Sequence, residues 1–242
     1  MTHSKPVGLW AVPRSVSTAL ERVFVERGDF KVFHEPFSAS YYYSSERRSD
    51  RFAATQAKEE YGYEKILDRM LEFEEKPVYF KDMAYHVAGL MSREFISSFT
   101  NTFIIRDPVP VIASLGRFWP DFTLEETGYE QQHRLFELAV ENGEDPAVVD
   151  AADLIRDPEG TIRAYCEKLD VPFMLESLSW EPGEVAGWEM WTRWHEEAQE
   201  STGIKSQPLE DDTELPAGLE GVYERCLPYY RELHEKRLRP AG

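Results

Sequence analysis

The sequence predicts an α/β protein in which helices cover both faces of a parallel central sheet, forming a three-layer sandwich. Short apolar runs of strand type alternate with longer segments of helical type along most of the chain. Such alternation is typical of parallel βαβ units, because each strand needs a crossover helix to return. With 242 residues, 42% of them hydrophobic, the chain can bury a core of its own. We expect one domain over 1–242, with a core at about 6–173 and a C-terminal lid and helix at about 174–242.

Each predicted element rests on its local pattern. A Tyr- and Ser-rich loop is expected from Tyr41 to Ser49, and a long surface segment or lid from Trp180 to Pro216, which includes the acidic cluster from Glu210 to Asp212. The predicted strands are Val7–Val12, Lys31–Glu35, Val78–Met83, Thr102–Asp107 and Ala147–Leu154. The predicted helices follow the first strand to about Arg27, cover Ala54–Glu74, follow the third strand, start at Asp107 as N-cap with Pro108 in the first turn, and cover Leu124–Asn142, Pro158–Leu169 and Leu219–Arg237.

Charge and composition limit the function classes. The formal net charge is −18, from 45 acidic and 27 basic residues, so the surface repels nucleic acid and polyanionic glycans. A local cationic pocket can still bind a small anion, because salt screens charges beyond about 8 Å. The two cysteines lack metal-site spacing, which indicates a reducing compartment. We expect a soluble, cytoplasmic protein without a signal peptide or a membrane-spanning segment.

A polar segment, Pro13-Arg14-Ser15-Val16-Ser17-Thr18, directly follows the first predicted strand. Backbone N–H groups and hydroxyls at a helix start, together with the helix dipole, suit a phosphate. The segment is not a Walker A loop, since Gly8 has no partner glycine and no Gly-Lys-Ser/Thr follows. The alternative is that Ser17 or Thr18 only caps the helix.

A second polar pair follows the fourth predicted strand. Arg106 lies where that strand ends, and Ser114 lies eight residues later, two turns into the next helix. A guanidinium and a hydroxyl that converge there can clamp a terminal phosphate. Arg106-Asp107-Pro108 is also compatible with an ion-paired helix start.

Together these segments resemble PAPS-dependent sulfotransferases, which use 3′-phosphoadenosine 5′-phosphosulfate as donor. Pro13 to Thr18 resembles the family's 5′-phosphosulfate loop, and Arg106 to Ser114 resembles its 3′-phosphate segment; a third likeness runs from Asp153-Leu154 to Pro172-Phe173. The resemblance covers about Val7 to Phe173 and implies a P-loop-like sulfotransferase fold. It also implies that Ser15, Ser17 and Thr18 hold the 5′-phosphate of PAPS, and that Arg106 and Ser114 hold the 3′-phosphate.

The chain departs from the family pattern at several positions. Arg14 stands where many members have lysine; it cannot donate a proton at neutral pH, but it can bind the donor and neutralise charge on the bridging oxygen. Val16 replaces a glycine, and Ala151 stands where a tyrosine often follows the fifth strand. Met83 stands where cytosolic members often have a catalytic histidine, so the general base must be another residue.

Three residues are candidates for the missing catalytic group. Glu35 of Glu35-Pro36 resembles the base of bacterial carbohydrate and lipid sulfotransferases and is the residue that we predict as the general base; the alternative is a solvated strand-end carboxylate. His86 is either near the cofactor or a hydrogen-bonded helix residue, and Lys81 either contacts the sulfuryl oxygens or pairs with an acid. Because alternate strand residues face opposite ways, we expect His34 to point away from Glu35.

A group of aromatic residues near the C-terminus has helical spacing. This spacing favours core packing, although these side chains could instead wall an acceptor or adenine pocket. The group comprises Trp188, Trp191, Trp194 and His195.

The predicted function is transfer of a sulfuryl group from PAPS to a hydroxyl or amine of a small-molecule acceptor, with no metal required. Two alternatives stay open: a sulfotransferase-like binding subunit with reduced catalysis, and a P-loop-type phosphotransferase. Nucleic acid and membrane are not expected as partners, and an oligomer or a protein partner stays open.

Overall fold

The computed structural model describes residues 5–206 and 213–240. Within them, five parallel strands form one sheet in the order β2-β3-β1-β4-β5, with helices on both faces. The predicted three-layer α/β fold is therefore confirmed. The strands are β1 Val7–Ala11, β2 Lys31–His34, β3 Val78–Met83, β4 Thr100–Ile105 and β5 Ala147–Asp150.

The helices of the described residues follow and separate these strands. They are α1 Ser17–Arg27, α2 Ser38–Tyr43, α3 Tyr63–Leu71, α4 Arg93–Ser97, α5 Pro108–Phe118, α6 Tyr129–Glu141, α7 Ala151–Arg156, α8 Pro158–Lys168, α9 Thr192–Glu200 and α10 Glu220–Glu235. Short 3₁₀ turns at Glu59–Tyr61, Ala84–Val87, Glu125–Thr127, Leu175–Leu178 and Glu189–Trp191 complete the regular structure. No helix in the described parts of the chain is long and apolar enough to cross a membrane.

The central strands β3, β1 and β4 are buried on both faces, because helices cover both sides of the sheet. Trp10, Phe80 and Phe103 point into one core, which also holds residues of α3, α4 and α6. Their neighbours Leu9 and Ile104 point into the other core, beneath α1 and α8. These alternating contacts fix the strand register and hold the sheet rigid beneath the loops at its end.

The parallel register brings the chain segments that follow four strands to one edge of the sheet. Ala11 at the end of β1 lies opposite Met83 of β3 and Ile104 of β4. His34, the last residue of β2, lies opposite Lys81. Ligands of open parallel sheets bind at this carboxyl edge, near helix N-termini.

Several predicted elements differ from the structure; the expected Leu124–Asn142 helix, for example, begins as an α-helix only at Tyr129. The fifth strand ends at Asp150 and not at Leu154, because the Asp150 carboxylate accepts a hydrogen bond from Ala152 N and starts α7. Only the second half of the expected Ala54–Glu74 helix forms an α-helix, which begins after Gly62. The expected loop from Tyr41 to Ser49 starts inside α2, since the side chains of Tyr41 and its neighbour are buried.

The C-terminal segment packs closely against the sheet domain over its described part. Trp180, Trp188 and Trp191 are buried. An isolated antiparallel bridge joins Ser179 to Gly203 across this segment. The acidic cluster from Glu210 to Asp212 lies outside the described residues.

Candidate active site

The loop between β1 and α1 has an unusual backbone conformation. Arg14 and Val16 both adopt left-handed conformations, with φ values of 58° and 63°. Val16 is the N-cap of α1 and provides no capping side chain, so neither Ser17 nor Thr18 caps the helix as the alternative interpretation expected. The first N–H groups of a helix have no intrahelical acceptors, and here no side chain caps them. The positive end of the helix dipole therefore lies at these N–H groups, next to the loop.

The left-handed Val16 costs energy. A β-branched residue crowds its own backbone in this conformation, which glycine adopts freely. Val16 stands where the family that this chain resembles has glycine, and in this chain the position has a positive φ. Strain of this kind persists only where the surrounding structure imposes it.

The two predicted phosphate segments converge at this loop. Arg14 Nε donates to Ser114 Oγ at 3.0 Å, and Arg106 Nη1 donates to the Arg14 carbonyl at 2.7 Å. Tyr129 holds Arg106 in turn through the Arg106 carbonyl, at 2.9 Å. Burial lowers the pKa of Arg14, and Arg106 adds to this effect while Glu197 opposes it. Two guanidinium groups and a hydroxyl therefore lie beside the uncapped N-terminus of α1.

Glu35 and Lys81 form a buried ion pair under the loop. Lys81 is fully buried, and its Nζ atom lies 2.5 Å from Glu35 Oε1 and 3.8 Å from Glu21 Oε2. Burial acts to raise the pKa of Glu35, but Lys81 and His34 hold that pKa well below its ordinary value. The sequence left open whether Lys81 contacts the sulfuryl oxygens or pairs with an acid; the structure shows Lys81 paired with Glu35.

His34 does not point away from Glu35, so that expectation was wrong. Glu35 has a φ of 40°, which breaks the strand alternation directly after β2. The His34 Nε2 atom lies 3.7 Å from Glu35 Oε1 and 2.8 Å from His195 Nε2. On the other side of the ring, His34 Nδ1 contacts both carboxylate oxygens of Glu21, at 2.7 and 2.9 Å.

His86 lies in the 3₁₀ turn after β3 and not in an α-helix. Its Nδ1 atom is 2.6 Å from Asp82 Oδ1, and its ring packs among those of Tyr41, Tyr42 and Tyr85. Burial raises the pKa of Asp82, and the contact with His86 opposes that effect. His86 Nε2 is buried and has no hydrogen-bond partner among the described residues.

These groups surround one cleft of about 410 Å³. Its floor is the β1–α1 loop with Arg106, Glu35 and His86, and its outer wall is α9 with the chain that follows it. Of the C-terminal aromatic group, Trp188 is packed in the core, as its spacing favoured, and donates to Glu21. The other members line the cleft, together with further apolar side chains: Trp191, Trp194, His195, Tyr42, Tyr85, Trp119, Met83 and Leu115.

Two acidic residues of the site were not predicted from the sequence. Glu21 is buried inside α1 and contacts His34, and Asp82 orients His86. For Glu21, one signal was available, because it lies four residues after Ser17 and thus on the same side of the helix as the loop. Nothing in the local pattern distinguished Asp82 from a surface acid.

Comparison with known families places this cleft in context. The family model of the sulfotransferase domain matches residues 6–236. The chain belongs to the sulfotransferase family. The resemblance inferred from the loop and from Arg106 to Ser114 is thereby confirmed, and the family supports sulfuryl transfer as the general activity.

Solved sulfotransferase structures share the fold of this sulfotransferase domain. The sulfotransferase domain of the olefin synthase from Synechococcus PCC 7002 has 16% identity and a TM-score of 0.58, with 96% of each chain covered. The sulfotransferase domain from the curacin biosynthetic pathway has 14% identity and a TM-score of 0.55, covering 98% of this chain and 99% of that one. A sulfotransferase from Alicyclobacillus acidocaldarius has 13% identity and a TM-score of 0.53, covering 97% and 98%.

Two curated relatives from Arabidopsis thaliana are more similar in sequence. Branched-chain-amino-acid aminotransferase-like protein 2 is 30% identical over 230 residues, which is 93% of this chain, and protein 1 of the same name is 29% identical over 236 residues, or 96%. The sulfotransferase domain spans only 40% and 42% of these relatives.

Proposed function

We propose that this sulfotransferase domain transfers a sulfuryl group from PAPS to a hydroxyl or amine of a small-molecule acceptor. The observation that carries the proposal is the convergence of Arg14, Arg106 and Ser114 on the uncapped N-terminus of α1. This arrangement offers anion-binding groups from two separate chain segments, as a nucleotide with phosphates at both the 5′ and the 3′ position requires.

The residues of the cleft fit PAPS. Ser15, Ser17 and Thr18 line the cleft beside the helix N-terminus and would hold the 5′-phosphate, while Arg106 and Ser114 would hold the 3′-phosphate. When bound, PAPS supplies the sulfuryl group and a phosphate leaving group. The fit rests on the start of α1, which no side chain caps, and on two guanidinium groups: that of Arg14, within the loop, and that of Arg106, which donates to the Arg14 carbonyl.

The chain's own residues provide charge stabilisation. Arg14 belongs to the loop and would neutralise negative charge that develops on the bridging oxygen. Lys81 is paired with Glu35, so its first effect is to keep that carboxylate ionised. This pair is buried, and its electrostatic contact is strengthened because the local dielectric constant is lower than in water. α9 and Trp191 form one wall of the cleft above it.

Features of the cleft and the surface support a small organic acceptor. The aromatic lining, which includes Tyr42, Tyr85 and Trp119, suits an apolar molecule that carries the reacting hydroxyl or amine. The net charge of −18 disfavours nucleic acid and polyanionic glycan acceptors. Phenols of graded acidity are therefore the first acceptors to test.

Two other functions make different predictions. A binding subunit with reduced catalysis is favoured by Val16 and Met83, which replace family residues, and it would bind PAP without turnover. A phosphotransferase is disfavoured because the loop lacks the Gly-Lys-Ser/Thr of a Walker A motif.

The test is a transfer assay with ³⁵S-labelled PAPS and a panel of phenols and amines, with release of PAP measured in parallel. We expect labelled product from the wild-type chain. Arg14→Gln should lower kcat about 10²–10³-fold, the range found when one oxyanion-stabilising donor is removed. Arg134→Gln is the matched control, because Arg134 is exposed and does not line the cleft. Binding of PAPS without transfer to any acceptor would support the binding subunit instead.

A further inference from the structure

The contact between His34 and His195 is an unusual feature of the cleft. The two Nε2 atoms lie 2.8 Å apart, and the rings meet at 87°. Two ring nitrogens approach this closely only when one carries a hydrogen and the other offers a lone pair. The direction of this hydrogen bond therefore decides where the proton-accepting nitrogen of the pair lies.

Glu21 decides the direction of the bond. Both of its carboxylate oxygens contact His34 Nδ1, and a carboxylate only accepts, so His34 Nδ1 carries a hydrogen. When Nδ1 carries the only ring hydrogen of His34, its Nε2 is bare, and His195 donates to it from its own Nε2. Trp188 Nε1 donates a further hydrogen bond to Glu21 Oε1 at 3.1 Å.

The remaining proton-accepting nitrogen of the pair is His195 Nδ1, which then carries a lone pair. This atom is buried and has no hydrogen-bond partner within the described residues, although His195 lines the cleft. An unsatisfied buried acceptor is costly, and functional sites are among the places where proteins tolerate one. The chain Glu21–His34–His195 thus runs from a buried carboxylate to a nitrogen without a partner, on a side chain that lines the cleft.

The charges around His195 keep it neutral before substrate binds. Burial, first of all, and the charges of Lys81, His34 and Arg14 together lower the pKa of His195 to about 3, while Glu35 opposes them. Nδ1 is therefore bare at neutral pH. A bound nucleotide brings negative charge beside Arg14, and this raises the pKa of His195 towards a value useful for catalysis.

We propose that His195 accepts the proton of the acceptor hydroxyl at Nδ1, and that His34 and Glu21 position it and stabilise the resulting cation. This inference rests on the proposed function. The acceptor O–H bond breaks as the Nδ1–H bond forms, and the electron pair left on oxygen forms the new O–S bond. The electron pair of the old S–O bond leaves with the phosphate. His195 would be a catalytic residue, whereas His34 and Glu21 are positioning residues.

A metal site is the competing interpretation of the same side chains. One ligand atom each of His34, Glu35 and His195 lies within 4.8 Å of the others. However, the Lys81 ammonium lies 2.5 Å from Glu35 Oε1, where its charge repels a second cation. Proton transfer to His195 requires no displacement of Lys81, and we therefore prefer it. We call the arrangement of Glu21, His34 and His195 the relay.

The first test reads the tautomers directly and needs no acceptor. In protein labelled with ¹⁵N at histidine, couplings between ring nitrogens and carbon-bound protons distinguish a protonated nitrogen from a bare one. We expect hydrogen on Nδ1 of His34 and on Nε2 of His195, with Nδ1 of His195 bare. His34→Gln and His195→Gln assign the signals, and His133, outside the cleft, is the internal control. A hydrogen on Nδ1 of His195 would overturn the relay.

Added Zn²⁺ separates the relay from a metal site in the same sample. The relay predicts no change of the His34 and His195 signals at equimolar Zn²⁺ and no rise in melting temperature. A metal site predicts that both signals shift together, and that Zn²⁺ raises the melting temperature of the wild-type chain but not that of His195→Gln. That result would replace the proposal.

The second test follows PAP release with phenols of graded acidity. His195→Gln should lower kcat about 10²–10⁴-fold with PAP affinity retained, and the loss should grow as the phenol becomes less acidic. Glu21→Gln should give a smaller loss and should redistribute the tautomers of His34. His133→Gln should behave as wild type. Normal turnover in His195→Gln together with loss in Glu35→Gln or His86→Gln would move the base to that residue.

Failure of the relay and failure of the proposed function give different results. If the chain does not bind PAP, the proposed function fails, whatever the tautomers are. If PAPS turnover is normal but His195 carries hydrogen on Nδ1, the relay alone fails. Melting curves of every variant show whether a loss of activity reflects unfolding.

Discussion

The Glu35–Lys81 pair allows a stability prediction worked from the structure. Lys81 is fully buried, its Nζ atom is 2.5 Å from Glu35 Oε1, and Glu21 is the next acid at 3.8 Å. Glu35→Gln keeps the size of the side chain but leaves the ammonium without its main counter-charge. Removing one partner of a buried pair costs about 3–5 kcal/mol of the free energy of unfolding. Because Glu21 remains, we expect the lower end, about 3 kcal/mol.

This loss should be visible as a shift in melting temperature. For a chain of this length, about 3 kcal/mol corresponds to a decrease of roughly 6–12 °C at pH 7. Glu159→Gln is the matched control, since Glu159 pairs with Arg163 at 2.7 Å but on an exposed helix surface. An exposed pair contributes at most about 1 kcal/mol, so the control should melt within a few degrees of wild type.

The pH dependence of the difference provides a second check. The pKa of Glu35 is held below its ordinary value of 4.5 in the folded chain. Its contribution to stability is therefore fully present above the unfolded-state pKa and is lost as the pH falls through the folded-state pKa. The gap in unfolding free energy between wild type and Glu35→Gln should be constant near pH 7 and shrink below about pH 4.5. A variant that melts within 2 °C of wild type, or a gap that widens in acid, would refute this account.

Three further predictions concern the loop and the cleft wall. Arg106→Ala should weaken PAP binding by about 1.5–3 kcal/mol, and it should weaken binding of a nucleotide without the 3′-phosphate far less. Titration calorimetry measures both; equal losses would mean that Arg106 only supports the loop through the Arg14 carbonyl. Val16→Gly should raise the unfolding free energy by up to about 1 kcal/mol because it relieves the positive φ, whereas Val16→Ala should not; urea titration of both variants decides. Gly203→Ala should destabilise by about 1–3 kcal/mol, because the new Cβ would lie 2.5 Å from the Leu178 carbonyl oxygen, and an unchanged urea midpoint would contradict the packing of this wall.

The sheet could be predicted from the sequence because each strand contains a short apolar run and helical segments separate these runs. Val78–Met83 was predicted with its observed bounds, and the remaining strands differ by a few residues at their ends. The fifth strand was overextended, since Leu154 is as apolar as a strand residue but belongs to a helix started by Asp150. Local hydrophobicity does not show where a side chain caps the next helix.

The loop and Arg106 were identifiable because their spacing after strands is local. The arrangement around His34 was not, for two physical reasons. The positive φ of Glu35 reverses the side-chain direction that strand alternation predicts. In addition, His195 reaches His34 from 161 positions further along the chain, and Glu21 reaches it from within a helix. Such contacts depend on tertiary packing, which spacing along the sequence does not reveal.

A thermal-shift comparison of nucleotides tests most directly whether the cleft is a PAPS site. A ligand at about 100 times its dissociation constant stabilises the folded chain by about 2.7 kcal/mol. For a chain of this length that corresponds to a rise in melting temperature of roughly 5–11 °C. We predict this rise with PAP, unaffected by EDTA, and a much smaller one with ATP and Mg²⁺. A larger, Mg²⁺-dependent rise with ATP, and none with PAP, would contradict the account and favour a phosphotransferase.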